Sequence, residues 1–297
     1  MTTYPFYQVD AFTHKPLGGN PCAILLETDG MDEATMLAIA KEMNLSETSF
    51  VSASEKADFR VRYFTPAEEI PLAGHPTIAT TYALVQAGRI DLTGKLTKIS
   101  LEMQVGPIDV EIIAQEGKVE KIVMTQMKPQ FLGTHDAEKV MPVFDLTPDD
   151  VLDGTPIQTV STGTPQLMIA VRDHDVLRHI NMDHAAYAAL RKEGDFFSPH
   201  LFCLGGATEV GHTFARHFGT PPDTMEDPFT GSATGGMAAY LWHHGLIESP
   251  TFVAEQGHWM GRPGQAMVEV VGPQEDIEAV KVGGATAGIL KGELYLD

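Results

Sequence analysis

Two short segments of this chain carry the residue types that anion binding and proton transfer require. The string E-x-P-x-x-G-x-x-T occurs twice, 157 positions apart. His75 follows the glycine of the first copy, whereas Asp227 precedes the proline and Ser232 follows the glycine of the second. An imidazole, a carboxylate and a hydroxyl can donate, accept and transfer protons. The two copies therefore predict one shared site built from unlike polar groups. The matching positions are Glu69, Pro71, Gly74 and Thr77, and Glu226, Pro228, Gly231 and Thr234.

A helix is predicted to begin beside each motif glycine. Pro76 suits the first helical position of the first copy, and Ser232 suits the N-cap of the second. Unpaired amides and the partial positive charge of a helix N-terminus attract a carboxylate, so Gly74 and Gly231 are candidate amide donors. A glycine turn and a serine cap explain either copy alone, whereas the pair beside His75 and Asp227 favours an anion site. The glycines that end the two predicted helices are Gly88 and Gly245.

Glu47 is a further candidate for acid–base chemistry. It lies in the segment LSETSFV, between a predicted helix end and an apolar strand. Burial there would raise the pKa of Glu47 into the range useful for proton transfer, and an exposed turn glutamate is the alternative that the segment leaves open. His75, at a helix start, is expected to have a lowered pKa because the helix dipole opposes an added positive charge.

The composition argues against nucleic acid and a membrane surface as partners. Twenty basic residues against forty acidic ones give a net charge of −20, which repels phosphate-rich surfaces. No apolar run is long enough to span a bilayer, and the first residues lack the pattern of a signal peptide. Cys22 and Cys203 lie in apolar, strand-like segments typical of buried free thiols, so a cytoplasmic location is predicted. The histidines lack a metal-binding frame such as H-E-x-x-H, and no metal site is predicted.

The elements around the candidate residues repeat in order. Short strands alternate with turns, a helix is predicted over 32–43, and Gly19-Asn20-Pro21 before one strand is echoed by Gly163-Thr164-Pro165 before another. We expect an N-terminal half over 1–127 and a C-terminal half over 128–283. A strand over 284–297 is expected to pack back onto the first half, with the active site in the cleft between the halves.

Five segments together resemble the PhzF-like family, the phenazine biosynthesis isomerase-like proteins. They are QVDAFTHKPLGGNPCAI, LSETSFV, RYFTPAEEIPLAGHPT, EDPFTGSATGG and QGHWMGRPG, and the resemblance covers nearly the whole chain. It implies an α+β, diaminopimelate epimerase-like fold of two pseudo-symmetric domains. Each domain wraps a mostly antiparallel sheet around a central helix. The resemblance also implies a homodimer that uses no cofactor or metal.

The resemblance assigns roles to the candidate residues. It places the catalytic glutamate on Glu47, with His75 and Asp227 beside it in the cleft. Ser232 and the amides of Gly74 and Gly231 would bind substrate. In the family's best understood activity, the glutamate removes a proton from one ring carbon of a dihydro-hydroxyanthranilate and returns it to another. The chain is therefore expected to be a cofactor-independent isomerase of a small carboxylate.

Two other functions remain open at this point. Amino-acid epimerases and racemases of the same fold use one thiol at each helix start, where this chain has Ala73 and Thr230. Neither Cys22 nor Cys203 is placed to replace those thiols, so a two-thiol racemase is disfavoured. The other alternative is a non-catalytic protein that binds small anions or a protein partner on the same fold.

Overall fold

The structure, a computed structural model, describes residues 2–296. The described residues form an α+β fold dominated by one large curled sheet. The strands of the first half are β1 (Thr2–Ala11), β2 (Asn20–Leu25), β3 (Glu47–Ser52), β4 (Phe59–Phe64), β5 (Glu69–Ile70), β6 (Leu96–Met103), β7 (Gly106–Gln115) and β8 (Lys118–Gln126). The remaining strands are β9 (Gln130–His135), β10 (Ile157–Ser161), β11 (Pro165–Ala170), β12 (Ser198–Leu204), β13 (Thr213–Phe218), β14 (Glu226–Asp227), β15 (Thr251–Gln256), β16 (Gly264–Val271), β17 (Ala279–Gly284) and β18 (Thr286–Leu296). The helices are α1 (Glu33–Met43), α2 (Gly74–Gln86), α3 (Ala137–Val140), α4 (His174–His179), α5 (His184–Glu193) and α6 (Gly231–His243).

The two halves share one pattern of strand pairing. In the first half β2 runs parallel to β3 and β4 parallel to β6, while in the second β11 runs parallel to β12 and β13 parallel to β15. The other pairings between named strands are antiparallel. Each half thus has a mostly antiparallel sheet with parallel pairs at equivalent places, which confirms the predicted pseudo-symmetry.

Strand pairing also joins the halves to each other. β8 of the first half pairs with β17 of the second, so hydrogen bonds cross the predicted boundary between 127 and 128. The C-terminal strand β18 pairs along the length of β1. Position 297, at the end of the predicted strand over 284–297, lies outside the described residues. The division into 1–127 and 128–283 stays a prediction.

The central helices α2 and α6 begin close to where the sequence predicted, with two corrections. α2 begins at Gly74, so Pro76 is its third residue rather than its first, where its missing N–H still costs no helical hydrogen bond. α6 begins at Gly231 with Thr230 at the N-cap, so the predicted cap Ser232 lies inside the first turn. Both helices are buried around most of their circumference, as expected for helices enclosed by sheet.

The motif glycines allow the two helix starts to touch. A Cβ on Gly74 would lie 2.5 Å from the backbone nitrogen of Ser232 and 2.6 Å from the carbonyl carbon of Gly231. Gly235 has a similar role, because a Cβ there would meet the side-chain amide of Gln126, which donates to the carbonyl of Gly231 over 2.9 Å. Close backbone packing therefore explains these glycines.

Helix α1 follows the sequence prediction closely. Asp32 caps its start by accepting from the amide of Thr35, and Asn44 ends it in the left-handed conformation. The chain then enters β3 at Glu47, so the helix end and the strand together set the position of that carboxyl group.

Candidate active site

Three predicted site residues meet between the halves, each supplied by a different element. Glu47 is the first residue of β3, His75 lies in the first turn of α2, and Asp227 ends the short strand β14. One side-chain donor atom from each lies within 4.8 Å of the other two. The fold therefore brings together residues that are up to 180 positions apart in the chain.

Glu47 is held in an environment that favours its protonated form. About 18% of its side-chain surface is exposed, and its Oε2 lies 3.3 Å from Nε2 of His75. Burial is the main cause that raises the pKa of Glu47 well above its usual value, and the negative charges of Asp227 and Asp223 raise it further. A carboxyl group with a raised pKa can both take up and return a proton near neutral pH.

His75 is neutral and lies in a polar cluster with Asn20 and Asp227. Burial lowers the pKa of His75 to about 4, although the nearby Asp227 opposes that shift. Its Nδ1 lies 3.0 Å from Nδ2 of Asn20, and the same Asn20 nitrogen donates to Asp227 Oδ1 over 2.7 Å and to the Phe229 carbonyl over 2.8 Å. The two oxygen acceptors identify the Asn20 atom as nitrogen and take both of its hydrogens, and the Nε2 of the neutral His75 ring faces Glu47.

The carboxylate of Asp227 is fixed by hydrogen bonds from both halves. Ser46 donates to its Oδ1 over 2.6 Å, alongside Asn20, and Thr230 donates to its Oδ2 over 2.5 Å. Its backbone carbonyl accepts from Nε2 of Gln256 over 2.7 Å. Both carboxylate oxygens are thus oriented before any ligand binds, which is the preorganisation that proton-transfer sites require.

A small cavity opens beside these groups. Its volume is about 60 Å³, and Glu47, Asp227 and Ser232 are among the residues that line it. Asp223 also lines the cavity and accepts from the amide of Ala67, in the other half, over 3.2 Å. A volume of this size holds a few water molecules, so the cleft has to widen to admit a ring-sized ligand.

The remaining predicted site residues take other positions. His75 is buried next to Glu47 instead of lining the cavity. Gly74 and Gly231 contact each other, so their first structural role is to let the helix starts approach. Ser232, 7% exposed, is the residue of the α6 start that faces the cavity.

The same three polar groups raise the question of a metal ion, which the sequence did not predict. Glu47, His75 and Asp227 are near enough to share a cation. Asp227 Oδ1 accepts two hydrogen bonds and Oδ2 accepts one, whereas Glu47 Oε2 and His75 Nε2 have no hydrogen-bond partner among residues 2–296. A carboxyl group and an imidazole that face each other without other partners suit proton transfer.

Several positioning residues were missed by sequence reasoning. Asn20 lies in the Gly-x-Pro echo, but its counterpart Thr164 gave no sign of its role. Gln256 and Arg262 lie in the QGHWMGRPG segment, to which the sequence assigned no role. Arg262 donates to the carbonyls of Gly18 and Gly19 over 2.8 and 2.9 Å, and thereby holds the loop that leads to Asn20.

The positions that carry thiols in racemases of this fold have no thiol here. Ala73 and Thr230 are the N-cap residues of α2 and α6. Cys22 and Cys203 are buried free thiols. Burial raises the pKa of Cys22 well above its usual value, so its reactive thiolate is disfavoured.

Comparison with known proteins shows the family of this chain. The family model described as "Phenazine biosynthesis-like protein" matches residues 9–292. The chain belongs to this PhzF-like family. It is 34% identical over 263 residues to the uncharacterized isomerase YfhB of Bacillus subtilis, covering 88% of each chain. It is 30% identical over 290 residues to the trans-2,3-dihydro-3-hydroxyanthranilate isomerase of Pseudomonas aeruginosa, covering 97% of this chain and 98% of the relative.

Solved structures support both the family and the fold. A PhzF-family phenazine biosynthesis protein from Bacillus anthracis aligns over the whole of both chains with a TM-score of 0.86 and 32% identity. A probable proline racemase from Agrobacterium radiobacter aligns with a TM-score of 0.73 over 99% of this chain and 93% of its own. Its 11% identity shows a shared fold alone. The curated relatives thus support an isomerase of the PhzF-like family. Among residues 2–296, no helix has the length and hydropathy to span a membrane.

Proposed function

We propose that the protein is a cofactor-independent isomerase that moves a proton between two carbons of a small carboxylate, with Glu47 as the general acid and base. The observation that carries this proposal is the setting of Glu47. Its pKa is raised, and a neutral imidazole and an oriented Asp227 carboxylate are next to it beside a cavity. The names of the curated relatives support the reaction class, and one of them supports a dihydro-hydroxyanthranilate as a trial substrate.

Each half-reaction uses the same carboxyl group. Glu47 in its ionised form takes a proton from a carbon, and the electron pair of the broken C–H bond spreads into the adjacent unsaturated system of the substrate. The protonated Glu47 then delivers the proton to a second carbon and returns to its starting state. The balance requires no oxidant, reductant or second reactant.

The surrounding residues divide the remaining tasks. His75 offers its Nε2 hydrogen to the Glu47 carboxylate, which stabilises the ionised form at the moment when it acts as a base. Asp227 is proposed to orient a donor group of the substrate next to Glu47. Ser232 and the backbone of the two helix starts, at Gly74 and Gly231, are proposed to bind the substrate carboxylate.

The proposal is tested by incubating the protein with a panel of small carboxylates in deuterated water and following deuterium at carbon by NMR. The panel contains trans-2,3-dihydro-3-hydroxyanthranilate. An isomerised product that carries deuterium at its new C–H position supports the proposal. Binding of panel members without exchange at any carbon contradicts it and favours the alternative, a non-catalytic anion-binding member of the fold.

Metal dependence and assembly are tested with the same preparation. Activity that is unchanged after dialysis against a chelator agrees with cofactor independence, whereas activity restored by a divalent cation contradicts it. We also propose that the protein works as a homodimer in the cytoplasm. Light scattering at assay concentration tests the dimer, and a monomeric mass contradicts it.

A further inference from the structure

A chain of four buried polar side chains lies in the second half, and three of its members line the same cavity as Glu47. Gln166, Ser198 and His217 line the cavity, and His200 lies behind them. His200 Nδ1 is 3.2 Å from His217 Nδ1, His217 Nε2 is 2.9 Å from Ser198 Oγ, and Ser198 donates to Gln166 Oε1 over 2.6 Å. We call these four residues the Gln166 network.

In the second half, the Gln166 network lies at the position that Glu47 occupies in the first half. Cys22 and Gln166 each follow the proline of the repeated Gly-x-Pro sequence. In the parallel strand pairs, Cys22 is the register partner of Glu47 and Gln166 is the register partner of Ser198. Ser198 is therefore the pseudo-symmetric counterpart of Glu47, and both residues line the same cavity.

Both histidines of the network are neutral. Burial lowers the pKa of His217 to about 4, despite the opposing charge of Asp227. The pKa of His200 lies well below its usual value, because of burial and of the adjacent His217. Each ring therefore has one nitrogen with a hydrogen and one with a lone pair.

The hydrogen bonds of the network can run in one of two directions. The surroundings of His200, the residue farthest from the cavity, select between them. His200 Nε2 is buried and has no partner among residues 2–296. A buried N–H without an acceptor is rarer and more costly than an unused lone pair, so His200 Nε2 has the lone pair and Nδ1 has the hydrogen. His200 then donates to His217, His217 Nε2 donates to Ser198, and Ser198 donates to Gln166 Oε1.

This direction fixes the amide of Gln166. Its Oε1 accepts from Ser198, so its Nε2 is left with two hydrogens that have no acceptor among the described residues. Gln166 is 2% exposed and lines the cavity. A donor that opens on a ligand cavity favours ligands that supply an acceptor there.

We propose that Gln166 determines specificity by donating a hydrogen bond to an oxygen acceptor on the substrate, a hydroxyl, ether or carbonyl that is separate from its carboxylate. Ser198, His217 and His200 are positioning residues that hold the Gln166 amide in the donating orientation. The substrate class, a small carboxylate, rests on the proposed function. The direction of the hydrogen bonds within the Gln166 network does not depend on the proposed function.

The first test reads the tautomers without any ligand. Long-range ¹H–¹⁵N NMR of protein labelled on histidine nitrogen is expected to show His217 with its hydrogen on Nε2 and His200 with its hydrogen on Nδ1. The opposite pair of tautomers would mean that Ser198 donates to His217 and that Gln166 presents its oxygen to the cavity, which overturns the proposal. Ser198→Ala is expected to change the His217 signals, whereas Ser198→Thr keeps them.

The second test compares two ligands that differ by one hydroxyl. Anthranilate and 3-hydroxyanthranilate are aromatic relatives of the substrate named for the Pseudomonas aeruginosa enzyme. Calorimetry is expected to give about a tenfold preference of the wild-type protein for the hydroxylated ligand, the ratio that 1.4 kcal/mol produces. Gln166→Met and Ser198→Ala should reduce the preference to about twofold or less. Ser198→Thr and the exposed control Gln115→Met should keep it.

The outcomes separate this proposal from the proposed function. If the wild-type protein binds both ligands equally or binds neither, or if Gln166→Met retains the full preference, the role of Gln166 is wrong. If the preference depends on Gln166 but no substrate exchanges deuterium at carbon, the specificity role holds and the isomerase proposal fails. Melting temperatures of all variants show whether a lost preference reflects unfolding.

Discussion

Oε2 of Glu47 lies 3.3 Å from Nε2 of His75, and the imidazole is neutral because burial lowers the pKa of His75 to about 4. The contact therefore differs from an ion pair. In the proposed mechanism, the ring nitrogen that faces Glu47 carries a hydrogen. A neutral donor next to a carboxyl group of raised pKa can stabilise the ionised state without holding the proton permanently away from the substrate.

The pH dependence of catalysis follows from the state of Glu47. The reaction begins with ionised Glu47, so kcat/KM is expected to rise with pH as Glu47 loses its proton. Because the pKa of Glu47 is raised well above its usual value, the midpoint of this limb should lie above the range of an ordinary glutamate. His75 titrates near pH 4 and adds no limb at higher pH. A kcat/KM profile that is already flat by pH 5 would contradict this assignment.

The side chains proposed to carry out the chemistry were easier to identify from the sequence than the residues that position them. His75 and Asp227 lie in or beside the repeated motif, whereas Glu47 lies outside it and was singled out by the resemblance to the PhzF-like family. The role of Ser46 depends on the approach of Asp227 from a strand 181 positions later, and that of Asn20 on contacts with residues of both halves. Such contacts depend on strand register and on how the halves pack, which local sequence patterns do not determine. The misplaced cap at Ser232 has a similar origin, since the N-cap of α6 lies two residues earlier, at Thr230, and the helix begins where Gly231 meets Gly74.

Removing the side-chain amide of Asn20 should impair catalysis more than binding. Asn20→Ala deletes the link between His75 and Asp227, so both groups lose their orientation. A displacement of catalytic groups by about 1 Å can reduce the rate by about 100-fold. We expect kcat to fall by about this factor with a change in KM below about threefold. A variant with unchanged kcat and a normal melting temperature would show that Asn20 has no positioning role.

Gly74→Ala should weaken the contact between the two helix starts. The added Cβ would lie 2.5 Å from a backbone nitrogen, and backbone atoms cannot move aside without separating α2 from α6. The expected loss of unfolding free energy is about 1–3 kcal/mol, as for other overpacking substitutions. Gly292→Ala is the matched control, because a Cβ there meets only an ordinary contact at 3.8 Å. Equal stability of the two variants by urea unfolding would contradict the packing role of Gly74.

The stability of Glu47→Gln should depend on pH in a defined direction. The pKa of Glu47 is raised in the folded state, so burial favours its protonated form. Its contribution to wild-type stability is present at low pH and is lost as pH rises through the folded pKa. Glutamine resembles the protonated acid, so we expect similar melting temperatures at pH 4. At pH 8 the variant should melt at a higher temperature than wild type, because it has no carboxylate to bury. The control Glu42→Gln, at an exposed position, should have the melting temperature of wild type at both pH values. A Glu47→Gln variant that melts at the same temperature as wild type at both pH values would contradict the raised pKa of Glu47.

The central claim is that one carboxyl group carries the proton, and the most direct measurement compares Glu47→Gln with wild type and with Glu42→Gln. Each protein is incubated with trans-2,3-dihydro-3-hydroxyanthranilate, or with whichever panel member the wild type converts, in deuterated water. Deuterium at the product carbon is then followed by NMR. We predict that Glu47→Gln lowers the rate by at least about 100-fold, within the range that general acid–base catalysis contributes, while Glu42→Gln keeps the wild-type rate. A folded Glu47→Gln variant that incorporates deuterium at the wild-type rate would contradict the proposed mechanism.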